Sequence, residues 1–315
     1  MLLFTADWHI KLGQKNVPKD WATNRYSMYF DQVNELEKDC DLHIIGGDLF
    51  DRVPSMDELT LYFDFIRRVT IPTIIYDGNH EATRKNKTFF TNLKKATSDV
   101  NALVEIIDST YLQDDWAILP YADLHRKDSI EAIDAPYLFT HVRGEIPPHV
   151  AAEVDLDRFE KFEIVFAGDL HAHDNTQRNI VYPGSPMTTS FHRNRVKTGA
   201  LLIDTDWSWT WHEFDLPQLI RKTISDPNDM IQTHYDHTIY ELEGDVQDLA
   251  KIKNSELLDK KVVRRQVEAT LNLTPEMTMS DELVVYLRDI LNLDEVKIKA
   301  IIGVYSDYSI QVDLG

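Results

Sequence analysis

The chain has a single cysteine, no long apolar run and comparatively few basic residues. One cysteine, Cys40, excludes an intramolecular disulfide framework and is typical of a reducing compartment, where we expect it to be a small buried apolar residue. No apolar run reaches the roughly 18 residues of a membrane span, so we expect no membrane contact and a cytoplasmic protein. Asp7 and His9 interrupt the N-terminal apolar residues, so we expect a structural first strand there and no signal peptide.

The shortage of basic residues limits the functions that the chain can have. There are 33 Lys and Arg against 53 Asp and Glu in 315 residues, which gives a formal net charge of −20. Free-standing DNA-binding proteins are usually basic, because neutralising phosphates drives their affinity. The composition therefore excludes a binder of that kind. Bound cations would offset acidic charge locally, and a partner subunit could supply a basic surface.

What the chain does have is a series of short polar clusters, each placed where a predicted β-strand ends. Short β-branched and apolar runs predict strands that are buried on both faces, at 2–6, 42–45, 73–76, 137–140 and 164–167. The clusters that follow them are Asp7-Trp8-His9, Gly47-Asp48-Leu49-Phe50-Asp51, Gly78-Asn79-His80-Glu81, His141 and Gly168-Asp169-Leu170-His171-Ala172-His173. Ligand sites in open α/β sheets gather beyond the carboxyl ends of the strands, so we expect these clusters to meet.

The segments between the strands predict the fold class. Apolar residues recur at helical spacing at 26–36 and 59–69, and this alternation of strand and helix predicts a layered α/β domain. Alternating residues at 199–204 and 207–211 predict a β-hairpin that closes the domain.

A charged segment follows Asp215 and marks a predicted domain boundary. We therefore expect one domain over residues 1–214 and a small α+β accessory domain over residues 215–315. The pattern of this accessory domain predicts strands at 238–242 and 261–267 and helices at 281–291 and 294–302.

The residue types in the clusters are those that hold a pair of divalent ions around a phosphate. Asp7 and His9 stand two apart at a strand end and can reach one ion, and Asp48 has two oxygens with which to bridge two ions. Asn79 offers a neutral amide oxygen. His80 directly follows it and is placed to donate a proton or a hydrogen bond to a phosphate or leaving group. Each cluster alone is a weak signal, and the ordered set is a strong one.

These motifs resemble the signature of the calcineurin-like metallophosphoesterases: Asp-x-His, Gly-Asp-x-x-Asp, Gly-Asn-His, a later His, and Gly-His-x-His. Within that family the chain is most similar to SbcD-type DNA nucleases and their phage relatives, through residues 47–51 and through Tyr182-Pro183-Gly184-Ser185-Pro186 with Thr189-Ser190-Phe191. The resemblance covers roughly residues 1–215. It implies a four-layer α-β-β-α core with a small α+β C-terminal domain. It also implies a metal-dependent DNA exo- or endonuclease subunit of an SbcCD-like repair or recombination complex, in the host cytoplasm if phage-encoded.

Carried over residue by residue, the resemblance gives two ligand sets that share Asp48. One is Asp7, His9, Asp48 and His171, and the other is Asp48, Asn79, His141 and Asp169. His80 would be the catalytic histidine, and Mn²⁺ the favoured ion, with Mg²⁺ as an alternative.

The chain departs from the family pattern at Asp169, where the family usually has a histidine. In an alternative register His171 and His173 would form the pair, but the glycine before Asp169 favours Asp169 and His171. Glu81 replaces a frequent aspartate, and neither Glu81 nor Asp51 is expected to be a ligand.

The resemblance also implies partners, namely DNA and an SbcC-type coiled-coil ATPase that docks on the C-terminal region, and it is compatible with a homodimer. Apolar residues that could form the docking surface, or equally the core of the small domain, are Leu283, Tyr286, Leu287, Ile290, Leu291, Val296, Ile298, Ile301 and Ile302. Arg193 and Arg195 form a basic spot that could touch DNA phosphates or belong to a solvated loop. Two alternatives remain: a metallophosphoesterase for a nucleotide or a phosphoprotein, and a non-catalytic scaffold of the same fold.

Overall fold

The computed structural model describes residues 1–84, 87–263, 273–274 and 277–312, and gives the backbone alone for Arg84 and residues 306–312. The chain divides into two compact units. The first comprises residues 1–243 and 251–262, and the second comprises residues 244–250 and 263–315.

The larger sheet of the first unit contains the first three predicted strands. Its parallel strands are β1 (Leu2–Thr5), β2 (Leu42–Gly46), β3 (Thr73–Tyr76) and β6 (Val104–Ile107), in that order. The predicted hairpin, β12 (Gly199–Ile203) and β13 (Trp209–Glu213), adds two antiparallel strands beside β1. A small hairpin, β4 (Ala82–Arg84) and β5 (Lys87–Thr88), follows β3.

The second sheet contains the other two predicted strands. It has the order β11 (Ile180–Val181), β10 (Ile164–Gly168), β9 (Tyr137–His141), β8 (Trp116–Leu119) and β7 (Tyr111–Leu112), and only β7 runs antiparallel to its neighbour. The two sheets pack face to face through a buried apolar layer in which Phe139 contacts Phe4 and Phe166, with ring centroids 5.3 and 5.1 Å apart. At one edge the Tyr76 hydroxyl donates to the Thr140 carbonyl at 2.8 Å, which ties the ends of β3 and β9 together.

Helices cover the outer face of the larger sheet. They are α1 (Lys19–Glu37), α2 (Met56–Arg68) and α3 (Phe90–Val100). The first two carry the predicted helical faces, and a capping box between Ser55 and Glu58 starts α2. The outer face of the second sheet is covered by α4 (Tyr121–Leu124), a 3₁₀ turn (Leu156–Phe159) and loops. The α/β class and the layered core of two sheets with outer helices are therefore confirmed, although loops provide most of the fourth layer in the described residues.

The first unit extends beyond the boundary that the sequence predicts near residue 215. A third sheet, β14 (Leu219–Ile224), β15 (His237–Gly244) and β16 (Leu258–Val263), begins there. Its first strand is bonded to the segment before the hairpin, because Leu219 N donates to Thr188 Oγ1 at 2.9 Å and His192 N donates to the Leu219 carbonyl at 3.0 Å. The compact units therefore divide near residue 244, while the functional division at residue 215 stays a prediction.

The second unit is mainly helical in its described part. It contains most of α5 (Val246–Lys251), then α6 (Met279–Asp289) and α7 (Glu295–Val312), and the last two correspond to the predicted helices. Residues 264–267 of the predicted second strand lie outside the described residues. None of the helices in the described part of the chain is long and apolar enough to cross a bilayer.

Candidate metal centre

The five polar clusters meet where the carboxyl ends of the parallel strands of both sheets lie. The loops after β1 and β2 run side by side, since Asp7 N donates to the Gly47 carbonyl at 3.1 Å and His9 N donates to the Asp48 carbonyl at 2.9 Å. Across the two sheets, Asp169 N lies 3.1 Å from Asp7 Oδ1. The topology therefore brings together residues that are up to 164 positions apart in the sequence.

Several of these residues have a strained backbone. Asp7, His9 and Asp48 have φ angles of 57°, 46° and 48°, in the left-handed region that residues with a side chain seldom adopt. Each such residue costs about 1–3 kcal/mol and is retained where the surrounding structure determines it. Asp169, with a φ of 101°, is a fourth donor residue with a positive φ, so the loops of the site hold four such residues.

One set of donor atoms surrounds the ring of His141. Its Nδ1 is 3.0 Å from the Gly46 carbonyl and donates to it, so Nε2 faces the other way. Around Nε2 lie Asn79 Oδ1 at 3.0 Å, Asp48 Oδ2 at 3.5 Å and Asp169 Oδ1 at 3.9 Å. Turning the Asn79 amide would place its nitrogen 3.0 Å from His141 Nε2, 3.1 Å from Asp48 Oδ2 and 3.3 Å from Asp169 Oδ1, so this side chain faces acceptor atoms. A divalent cation fits a group of converging acceptors.

A second set of donor atoms surrounds the ring of His9. Its Nε2 lies 3.0 Å from Nε2 of His171 and 3.6 Å from Asp48 Oδ2. Ligand atoms of Asp7, His9 and His171 all lie within 4.8 Å of one another. Asp48 Oδ2 is thus close to Nε2 of both His9 and His141, which is the position that a bridging carboxylate requires.

Burial and neighbouring charges shift the pKa values of these groups in both directions. Burial disfavours the charged form of His141, but the adjacent Asp48 outweighs it and raises the pKa of His141 well above its ordinary value, so an ion bound there would displace a proton. Burial lowers the pKa of His9 to about 3, so that the ring is neutral and can act as a ligand. It opposes ionisation of Asp48, but the adjacent His141 ring outweighs it and the pKa of Asp48 is lowered. It raises the pKa of Asp7 well above its ordinary value, a shift that a bound cation would reverse.

His80 lies beside both donor sets. Its Nδ1 is 2.6 Å from the Asp51 carbonyl and donates to it, and its backbone N donates to Asp48 Oδ1 at 2.9 Å. Its Nε2 is 3.8 Å from Asp48 Oδ2, and the side chain is 35% exposed. Ligand atoms of His9, Asp48 and His80 also lie within 4.8 Å of one another, so the geometry allows His80 to act either on a substrate or as a ligand.

Glu81 has a larger structural role than the sequence suggests. Its carboxylate is fully buried and accepts backbone N–H bonds from Asp48, Phe50 and Gly78 at 2.8–2.9 Å. It therefore joins the loops after β2 and β3, which carry the donors Asp48 and Asn79. Burial, followed by the charge of Asp48, raises the pKa of Glu81 to about 8.

The structure separates the two histidines that the alternative register would pair. His171 faces His9, whereas His173 Nδ1 donates to the Tyr182 carbonyl at 2.7 Å and its ring stacks on Trp211 at 5.3 Å. This placement favours His171, rather than His173, as the ligand.

Arg143 is a cleft residue that the sequence analysis does not single out. Its Nε and Nη2 donate to Asp169 Oδ2 and Oδ1 at 3.1 and 3.3 Å. It lines a cleft of about 500 Å³ together with Asp48, Asn79, His80, Asp169, His171 and Lys197. The sequence signal that could have identified Arg143 is its position two residues after His141, at the end of a strand.

Arg193 and Arg195 are both paired with carboxylates. Arg193 donates to Glu241 Oε2 at 3.1 Å, and Arg195 donates to Asp236 at 2.6 Å and to Asp215 at 2.9 Å. Their charges are therefore largely compensated within the first unit. A role in binding DNA stays a prediction, and these contacts weaken it.

Comparison with known proteins agrees with this geometry. Residues 1–173 match the family described as calcineurin-like phosphoesterase. A protein of Escherichia phage T5 named "Probable exonuclease subunit 1" is 41% identical over 320 residues, which cover 98% of this chain and 98% of that protein. A protein of Invertebrate iridescent virus 6, named as phosphoesterase 244L, is 24% identical over 229 residues, which cover 65% of this chain and 76% of that protein.

Proposed function

Because the chain belongs to the calcineurin-like phosphoesterase family, whose members hydrolyse phosphoester bonds, we propose that it is a metal-dependent DNA nuclease subunit. The observation that carries the proposal is the match of nearly the whole chain to a phage protein named as an exonuclease subunit. The donor atoms that converge around Asp48 support the metal dependence.

The donor set fits two divalent ions that share Asp48. Asp7, His9, Asp48 and His171 would hold one ion, and Asp48, Asn79, His141 and Asp169 would hold the other. Bound there, two ions would offset the charge of a phosphodiester and stabilise the oxygens that enter and leave. The carboxylate and amide oxygens favour Mn²⁺ or Mg²⁺ over softer ions, and the imidazoles favour Mn²⁺ of the two.

The chain's own residues orient this chemistry. The Asp51 carbonyl fixes the ring of His80 through Nδ1 and leaves Nε2 for a proton at the leaving oxygen. The carbonyl of Gly46 fixes the ring of His141 in the same way.

One comparison tests the nuclease proposal against its alternatives. The purified chain is assayed with Mn²⁺ on linear DNA and on an aryl phosphodiester, with and without an SbcC-type ATPase. We expect metal-dependent cleavage of both substrates, and a large gain on DNA with the ATPase, because a net charge of −20 repels phosphates. Hydrolysis of the diester without any DNA cleavage would favour a nucleotide or phosphoprotein substrate. Inactivity on both, with the ions bound, would favour a scaffold.

The His80→Ala variant tests whether His80 acts on the substrate. If it supplies a proton or hydrogen bond, the variant should keep both ions and lose about 10²–10⁴ in rate, the usual range for general acid–base help. Metal content and cleavage of linear DNA, whose alkoxide leaving group needs the proton, are measured together. Loss of an ion would identify His80 as a ligand instead, and nearly normal turnover would exclude both roles.

The exposed apolar residues of the second unit support an ATPase-docking surface there. Of the nine candidates, Leu287 and Ile298 are buried, whereas five are at least 37% exposed: Tyr286, Ile290, Leu291, Val296 and Ile301. Residues that remain exposed on α6 and α7 are available to a partner helix.

The Val296→Glu variant tests this surface with little risk to the fold, because Val296 is 79% exposed. We expect it to lower ATPase-stimulated DNA cleavage about 10-fold or more, as a charge in an apolar interface does, while diester hydrolysis is unchanged. Met56→Glu is the matched control, since Met56 is 77% exposed but lies on α2. Full stimulation of the Val296→Glu protein would place the docking site elsewhere.

A further inference from the structure

The contact between Arg143 and Asp169 fixes a guanidinium in the cleft. Both oxygens of the carboxylate are engaged, one by Nε and the other by Nη2, so the plane of the guanidinium is set. A guanidinium has five N–H donors, and this pairing uses two of them. The two N–H groups of Nη1 and one of Nη2 are left for another acceptor.

Arg143 lines the cleft of the candidate metal ligands, so its free N–H donors are available to a phosphate bound there. The side chain is 43% exposed and lines the same cleft as Asn79 and His80. A guanidinium is not deprotonated in proteins, so the positive charge of Arg143 is permanent. Asp48 and Asp169 otherwise make the floor of this cleft acidic, which would disfavour an anionic ligand.

The other basic side chain among the described cleft residues is Lys197, which is exposed. A flexible ammonium carries a charge but does not fix the orientation of an anion, whereas a clamped guanidinium does both. Arg143 is therefore the better candidate for holding a phosphate in one orientation.

We propose that Arg143, held in place by Asp169, donates hydrogen bonds to a non-bridging oxygen of the phosphodiester that this cleft binds. This assignment rests on the proposed function, because it takes a phosphodiester as the ligand. Asp169 would then bind both Arg143 and a metal ion, because a carboxylate has enough lone pairs to accept hydrogen bonds from a guanidinium and to coordinate an ion. Arg143 would thereby give this strongly acidic chain a cationic contact to its substrate.

Inorganic phosphate is the probe that tests the proposal without requiring turnover. The full-length, Mn²⁺-loaded chain is titrated with phosphate by calorimetry, as wild type, Arg143→Ala and Arg143→Lys. We expect Arg143→Ala to weaken phosphate binding about 10- to 100-fold, the range of charge-assisted hydrogen bonds, and Arg143→Lys to weaken it less. Metal content should be unchanged, and millimolar guanidinium should restore part of the binding to Arg143→Ala.

Arg158→Ala is the matched control. Arg158 makes the same two-pronged contact to Glu131, with Nε and Nη2 at 2.7 and 2.8 Å from its oxygens, but it does not line the cleft. We expect phosphate binding by this variant to equal that of the wild type. Unchanged phosphate affinity in Arg143→Ala would overturn the proposal, and so would loss of an ion, which would make Arg143 only a positioning residue for Asp169.

The same experiment separates this inference from the proposed function. If the wild type binds phosphate through Arg143 but cuts no DNA, the phosphate contact stands and the nuclease proposal fails. If the wild type cuts DNA while Arg143→Ala binds phosphate as tightly as the wild type does, the nuclease proposal stands and the phosphate contact fails.

Discussion

Replacing Asp48 with alanine should remove both metal ions and almost all hydrolysis of phosphodiesters. Asp48 Oδ2 lies 3.5 Å from Nε2 of His141 and 3.6 Å from Nε2 of His9, so this carboxylate is close to both donor sets. Loss of a single preorganised electrostatic contact costs about 10²–10³ in rate. Because Asp48 serves both sets, we expect a loss of about 10⁴ or more.

Metal-dependent unfolding measures this effect separately from activity. A ligand that binds only the folded state raises the unfolding temperature as its concentration exceeds the dissociation constant. Wild type should therefore gain stability with Mn²⁺, and Asp48→Ala should not. Asp64→Ala is the control for a changed net charge, because Asp64 is an exposed carboxylate on α2. A full Mn²⁺ response in Asp48→Ala would exclude the bridging role.

The sequence predicted the strand ends because strands buried on both faces have a simple pattern. Residues 42–45 and 73–76 are mostly apolar until the strand reaches the edge of the sheet, where polar residues can face a cleft. The resemblance then gave an order to the clusters. The structure brings all seven predicted donor residues together, and their role as ligands stays a prediction for the experiments above.

The contacts that the sequence did not predict are those between side chains on different loops. Arg143 and Asp169 are 26 residues apart and meet because β9 and β10 are parallel neighbours. Arginine is a residue type that often contacts phosphate, but Arg193 is paired with Glu241, which lies 48 residues further along the chain. The bonds between β14, which follows the predicted boundary near residue 215, and residues that precede the hairpin are another pairing of this kind. No local pattern encodes such pairings.

Glu81→Gln should lower both the stability of the chain and its affinity for metal. Above the Glu81 pKa of about 8, where its carboxylate is ionised, the change keeps the shape of the side chain but replaces one acceptor oxygen with an amide N–H₂ group. In Glu81 one oxygen accepts from Asp48 N and Gly78 N, and the other accepts from Phe50 N. The new amide must therefore face at least one buried N–H donor. An unsatisfied buried donor costs about 1–3 kcal/mol, and we expect a loss of about that size in the free energy of unfolding.

The effect on metal binding is what distinguishes Glu81 from an ordinary buried carboxylate. It holds the backbone at Asp48 and next to Asn79, so a shift of either loop moves a donor atom, and changes of this kind typically cost about 10–100-fold in metal affinity. Glu58→Gln is the matched control, because Glu58 is also buried and accepts backbone N–H bonds, from Leu12 and Ser55 at 2.8 Å, at the start of α2.

Denaturant unfolding and Mn²⁺ titration of both variants decide the matter. We expect both to lose stability, and Glu81→Gln alone to lose metal affinity. If the two variants bind Mn²⁺ equally well, Glu81 stabilises the fold without positioning the donors. If Glu81→Gln loses affinity while Glu58→Gln does not, the three backbone bonds set the geometry of the metal centre.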